Sequence, residues 1–473
     1  MAWTPTQRSV LALTSISALM ITLDAMVVST ALNTIRTDLG ASVEALEWTI
    51  NAYILSYAVL MMTGAALGDR LGRRRIFVAG LVLFTLASVA CALAPDIGLL
   101  ITARVVQGAG GALMMPLAMA LTSAAFGPDQ RAKALGVFSG VMGLGVLAGP
   151  VVGGVMVQAL SWQWIFWINV PIGVVLVALV RLRITESAGA DGRLDITGVT
   201  LFTGAAFGVV WALVRGNSAG WGSAEVAGAL AGGVVLAIGF VAWERRAAAP
   251  MLPLRLFGIR AFTASNVAGF FLFASNLSAV FFIAQYFQTD LGYSPLGAGL
   301  RTVPWTATLF VVAPVAGGLV ARWGARRLVV GGLLLQAAGM AAVAWLAAAG
   351  AGYAAMVVPL VVSGAGISAA MPATQNGAVS SVPGAMIGKA SGAFNTLRQL
   401  GGGFGVAITV AVFAGTGGYG TPAAFTDGFV PAMAVSAALG VVAAAAGLAL
   451  GGTRKTAVRA PRRVLVESGS IDA

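Results

Sequence analysis

The chain contains no histidine and a single cysteine, Cys91. An internal disulfide is therefore excluded, and Cys91, set in an apolar stretch, reads as a small packing residue. Without histidine, a proton carried near neutral pH has to ride on a carboxylate whose proton affinity burial has raised. Charge is scarce as well: 9% of residues are charged and 59% are hydrophobic, against about 25% charged in soluble domains. A soluble fold built from this composition would lack polar surface, so lipid is the expected solvent for most of the chain. No glycine-rich loop ending in Gly-Lys-Ser or Gly-Lys-Thr occurs, which excludes an ATP-driven pump within this chain. An intramembrane enzyme is disfavoured by the missing histidines and by the absence of paired acids inside apolar segments. No metal site or bound cofactor is expected.

What the chain has is apolar length. A membrane-crossing helix needs roughly 20 apolar residues, and such segments fall near 9–33, 48–67, 76–94, 99–123, 134–158, 164–182, 196–214, 226–243, 262–287, 299–320, 328–348, 354–374, 389–414 and 428–450. The first is too long for a signal-peptide core. Arginines mark alternate loops. Arg70, Arg73, Arg74 and Arg75, then Arg131, Lys133, Arg181, Arg183, Arg193, Arg245, Arg246, Arg255, Arg260, Arg322, Arg326, Arg327 and Lys389 lie on one side. Arg8 and the tail residues Arg454, Lys455, Arg459, Arg462 and Arg463 join them. The other side holds little beyond Arg36, Arg215 and Arg301. The positive-inside rule places the basic loops and both termini in the cytoplasm. This distribution also explains the net charge of +12 without any nucleic-acid partner.

The chain repeats itself. Thr37-Asp38-Leu39-Gly40 recurs at Thr289-Asp290-Leu291-Gly292, and Leu67–Arg75 recurs in register at Leu319–Arg327, each 252 residues on. Gly108-Ala109-Gly110 with Met115-Pro116 recurs at Gly364-Ala365-Gly366 with Met371-Pro372, and Lys133-Ala134, Gly136 and Phe138 recur at Lys389-Ala390, Gly392 and Phe394, each 256 residues on. The pattern divides the chain into a six-helix bundle over 1–183, two inserted transmembrane helices with their linkers over 184–260, a second six-helix bundle over 261–450 and a basic tail over 451–473. Two parallel six-helix halves are a transporter plan.

The repeated segments also carry a family resemblance. Leu67-Gly68-Asp69-Arg70-Leu71-Gly72-Arg73-Arg74-Arg75 resembles the signature loop of the major facilitator superfamily. Arg104 with Gln107, Gly108 and Gly110 is similar to its fourth-span motif, and Gly145, Gly149-Pro150 and Gly153-Gly154 to the fifth-span motif of its antiporters. Trp164-Ile165-Phe166, Ile168-Asn169 and Pro171 resemble a segment of the fourteen-span drug/proton antiporters. Ala65 and Gln163 depart from the usual glycine and arginine. The resemblance implies an all-α membrane protein of the major facilitator fold, with fourteen spans and alternating access driven by the proton motive force.

Candidate site residues follow. Asp24 is the only acid well inside any predicted span, and a charge there costs about 2.5–3.5 kcal/mol on insertion scales. It either carries a proton or holds a cationic substrate, or it is a structural partner of Arg104. The resemblance gives Arg104 a part in proton relay. Asp69, Arg70 and Arg73 form a candidate conformational switch, with Asp69 pairing with an arginine or a helix N-terminus in one state; a plain basic loop is the simpler reading. Gly149 and Pro150 are a candidate seal, although close helix packing explains the glycines as well. Asn276, the repeat mate of Asp24, with Phe273, Gln285 and Arg398, is a candidate lining of the substrate cavity. Packing and snorkelling are the alternatives for the rings and for Arg398.

The function expected is proton-coupled antiport that exports lipophilic drug-like or antibiotic molecules. The alternatives are a dedicated exporter of one endogenous metabolite or lipid, and a proton-coupled importer, against which the fifth-span motif argues. The expected partners are a small-molecule substrate, protons and membrane lipids. The expected state is a monomer in a bacterial cell membrane.

Overall fold

A computed structural model of the chain describes residues 3–187, 195–248, 250, 252, 254–383 and 386–450. The basic tail over 451–473 and Arg193 lie outside the described residues. Among the described residues fourteen helices are long and apolar enough to cross a membrane. We number them α1 Pro5–Asp38, α2 Val43–Leu71, α3 Arg73–Ala92, α4 Ile97–Ala125, α5 Pro128–Ala159 and α6 Trp164–Arg183. They continue as α7 Ile196–Ala219, α8 Ala224–Glu244 and α9 Arg260–Thr289. Next is α10, in two pieces, Pro295–Thr306 and Thr308–Trp323, and then α11 Ala325–Ala348, α12 Tyr353–Ser380, α13 Ile387–Thr416 and α14 Pro422–Gly447. Most run several residues beyond the apolar segments read from sequence, because hydropathy marks only the stretch in hydrocarbon. Their starts are set by local chemistry. Thr4, Ser42, Asp96, Asp195, Ser223, Ser294 and Thr421 each accept a hydrogen bond from a first-turn N–H, satisfying a donor the helix leaves open.

The repeat appears as equivalent packing. In the first half α1 packs on α5, α2 and α3 on α4, and α6 on α3 and α1. In the second half α9 packs on α13, α10 and α11 on α12, and α14 on α11 and α9. Both repeats turn from one helix to the next at a single glycine, Gly72 at φ +106° and Gly324 at φ +81°, a region that L side chains avoid.

The halves meet where α5 packs on α10, α2 on α13 and α1 on α9. The inserted pair α7–α8 lies outside both bundles: α7 packs on α2 and α13, while Val234, Val235 and Ile238 of α8 stay exposed, as suits lipid. Among the described residues, the polar contacts joining the two halves cluster at the arginine-poor end. Gln288 Nε2 donates to the Thr30 carbonyl at 3.2 Å, and the Leu296 N–H donates to Gln158 Oε1 at 3.4 Å. Arg36 lies 4.6 Å from the centroid of the Tyr419 ring. The Tyr419 hydroxyl donates to Gln285 Oε1. Burial pushes that phenol above its ordinary range, against the opposing pull of Arg36, so it stays neutral as a donor.

Candidate functional site

Asp24 comes from the middle of α1 and is 1% exposed. Both carboxylate oxygens are occupied. Arg104 Nη1 of α4 donates to Oδ2 at 2.6 Å, while Gln107 Nε2 at 2.9 Å and Asn169 Nδ2 at 2.8 Å donate to Oδ1. Arg104 is likewise sealed. Its Nε donates to the Thr49 carbonyl at 3.1 Å and its Nη1 to Gln107 Oε1 at 2.6 Å. Its guanidinium carbon stands 4.1 Å from the centroid of the Tyr53 ring, a cation–π contact strengthened by the dry surroundings. Ser88 of α3 accepts from Gln107 at 2.9 Å, and Cys91 packs beside it, with Sγ 3.7 Å from Gln107 Oε1. One ion pair thus ties α1, α3, α4 and α6 together. A buried pair holds only when its remaining valences are satisfied, and here the satisfying groups are Thr49 of α2, Gln107 of α4 and Asn169 of α6.

Sequence reasoning named Asp24, Arg104 and Gln107 but gave Asn169 no role. The contact spans 145 residues, and no local spacing announces it. In this structure side-chain donors engage both Asp24 oxygens, which leaves the carboxylate no open face toward a cationic substrate. A second acid is buried as well. Glu47, one turn into α2, is also buried, at 1% exposure, and accepts from Asn51 Nδ2 at 3.1 Å. The sequence places it just outside the second apolar segment; α13 packs on α2 nearby, with a Cβ on Gly403 placed 3.6 Å from Asn51 Oδ1.

In the signature loop Asp69 pairs with Arg73 at 2.8 Å, one turn on, while Arg70 is exposed. The anion at the N-terminus of α3 is a different residue. Glu186 accepts from the backbone N–H of Arg74 at 2.9 Å and of Arg75 at 3.2 Å, the place where a helix favours negative charge. The fifth-span glycines divide their work. A Cβ on Gly149 would lie 2.4 Å from Met26 Cβ, so this glycine lets α5 approach α1. The Pro150 carbonyl faces Gly299 of α10, and Gly154 faces Pro295 and Leu296. The motif therefore packs both within the first half and across to the second.

The four candidate cavity residues separate. Phe273 and Asn276 are half-buried on α9. Gln285 is fully buried and donates to the Phe281 carbonyl at 2.6 Å. Nine residues on, it lies across the helix from Asn276 and about 13.5 Å nearer the arginine-poor end, where the Tyr419 hydroxyl donates to it. There Phe281, Phe282, Tyr286 and Phe287 pack with Phe413 and Phe429, and Tyr286 stacks on Phe429 at 4.3 Å between centroids. Arg398 of α13 is half-buried, with its guanidinium carbon 5.0 Å from the Phe273 centroid. It belongs to a stripe of half-buried polar residues, Ser391, Asn395, Arg398 and Gln399, spaced three and four apart on one helix face. Gly392 and Gly403 contact α2, while Gly401, Gly402 and Gly405 contact α9, so the stripe lies between the two contact faces.

Comparison with known proteins agrees with this architecture. The sequence profile of the Major Facilitator Superfamily matches residues 14–406. A tetracenomycin C resistance and export protein of Streptomyces glaucescens is 34% identical over 396 residues, covering 83% of this chain and 73% of that protein. A multidrug resistance protein of Mycobacterium tuberculosis is 33% identical over 412 residues, covering 86% and 76%. A cephamycin export protein of Amycolatopsis lactamdurans is 35% identical over 427 residues, covering 89% and 87%. Among solved structures, a POT family transporter superposes with TM-score 0.70 at 15% identity, covering 91% of this chain and 94% of that one. A D-xylose-proton symporter superposes with TM-score 0.67 at 17% identity, covering 92% and 96%. At these identities the structures speak for the fold alone.

Proposed function

We propose that this chain, which belongs to the major facilitator superfamily, exports lipophilic drug-like or antibiotic molecules in exchange for protons. Three relatives named for export or resistance support the direction of transport. The observation that carries the proton part is the sealed pair of Asp24 and Arg104, at 2.6 Å. Protonating Asp24 would convert one acceptor oxygen into a hydroxyl and cancel the charge that holds Arg104. The hold of α1 on α4 and α6 would loosen. Because α1 also carries Thr30, the acceptor of Gln288 from the second half, that loosening would reach the closure of the arginine-poor end. Asp24 would bind a proton in one state and release it in the other as the halves rock.

The test is Asp24→Asn, which keeps the shape but cannot titrate. Efflux from proteoliposomes driven by a pH gradient is expected to vanish, and so is proton release on substrate addition in detergent, while Asp24→Glu keeps part of both. A variant that releases protons and transports like the parent would make Asp24 structural and move the search for the coupling acid to Glu47. The distribution of arginines further supports a plasma-membrane orientation with the basic loops in the cytoplasm. In a Cys91→Ala background, Arg75→Cys should label only from the cytoplasm and Thr37→Cys only from outside; labelling of both from one face refutes the orientation.

A further inference from the structure

We infer that the transported molecules carry a negative charge and that Arg398 is the residue that selects it. This rests on the export reading above and adds the substrate class.

The acids that might attract a cation are closed off. Asp24 has both oxygens engaged, and Glu47 is 1% exposed. Between residues 261 and 450 the only acids are Asp290 and Asp427. Both belong to the arginine-poor end, where Asp290 is taken by the Thr426 hydroxyl at 2.7 Å. Neither deep acid of the first half is therefore open to a cation in this structure.

Arg398 is the opposite case. Its Nε is buried without a hydrogen-bond partner, and among the described residues no acid pairs with it. The Tyr57 phenol of α2 lies close enough to act on it electrostatically, and the Phe273 ring of α9 lies beside it. A guanidinium placed among helices with unused N–H donors is costly to bury. A carboxylate, phenolate or sulfonate would use those donors through charge-assisted hydrogen bonds, bidentate in the first and last cases. The flanking rings would take the apolar body, and Asn395 and Gln399 of the same stripe offer further donors. The combination fits an amphipathic organic anion. Exchanging one such anion outward for one proton inward moves two charges in the same electrical sense, so the membrane potential drives the exchange together with the pH difference.

The test uses purified full-length protein and a panel of fluorescent aromatic carboxylates, each with its neutral methyl ester and a cationic amine analogue. Binding is read by fluorescence in detergent, with no gradient applied. The carboxylates should bind about tenfold or more tighter than their esters, with the amines weakest. Arg398→Gln should erase that preference, bringing the carboxylates to the affinity of their esters, while Arg398→Lys, which keeps the charge but not the fork, should keep part of it. A thermal shift produced by the ester in Arg398→Gln verifies that the variant is folded. The inference is overturned if esters or amines bind as tightly as carboxylates, if Arg398→Gln binds carboxylates like the parent, or if no carboxylate in the panel binds. Charge selection in detergent with no gradient-driven efflux would instead refute the antiport reading and leave the charge assignment standing.

Discussion

In the first half the carboxylate of Asp24 on α1 accepts directly from Asn169 of α6 and reaches Ser88 of α3 through Gln107, with Arg104 as counter-ion. In the second half the equivalent helices are joined with no charge at all. Gln336 of α11 donates to Ser275 Oγ of α9 at 3.1 Å, and Ser436 of α14 donates to the Ser275 carbonyl at 2.9 Å. The neutral arrangement holds three transmembrane helices together with hydroxyls and one amide. An ion pair is therefore not needed for this packing, and inside a membrane it is the more expensive solution. Its presence in one half only is in keeping with the proton role proposed for Asp24. The second half has the reverse asymmetry: its deep charge, Arg398, lies beside the Phe273 ring, and among the described residues no acid pairs with it.

The comparison can be broken by experiment. The largest effect is expected for Arg104→Leu, which strands a buried carboxylate and should cost about 3–5 kcal/mol, seen as loss of monodisperse protein in fluorescence-detected gel filtration. Adding Asp24→Leu should restore folding, since an apolar replacement of both partners is often neutral, while gradient-driven efflux stays absent. If the single variant is as stable as the parent, the pair is not the constraint described here.

Gln336→Leu in the neutral counterpart should cost less, about 1–3 kcal/mol, and leave coupling intact. Lost coupling at parental thermal stability would show that the second half also moves protons.

The smallest effect concerns the helix that follows each signature loop. α3 starts on the Glu186 carboxylate, whereas the second half has no acid between Asp290 and Asp427 to cap α11. Glu186→Gln should cost about 0.3–1 kcal/mol, measured as a melting shift at low salt that shrinks at high salt. A salt-independent shift would mean that hydrogen bonding, not charge, sets the α3 terminus.

Much of the molecule was determined by sequence alone, because solvation acts on composition directly. Fourteen apolar segments, their alternating arginine loops and the 252- and 256-residue repeats define spans and pseudo-symmetry without any knowledge of contacts. Asp24 and Arg104 stand out because a charge within an apolar run is costly, although sequence alone leaves open whether they are structural partners or carry protons. What tertiary structure decided is which groups each of them meets. Asn169 belongs to a family-like segment but has no role in the sequence until α6 delivers it to Asp24. Glu47 lies near a helix start in the sequence and is buried in the fold, and Gln285 meets Tyr419, 134 residues away. Partner identity depends on how helices cross, and crossing is set by side chains far apart in the chain, so hydropathy and spacing do not encode it. Arg398 shows the same limit in reverse. Sequence places a cation deep in a span, and only the fold reveals that no acid comes to meet it.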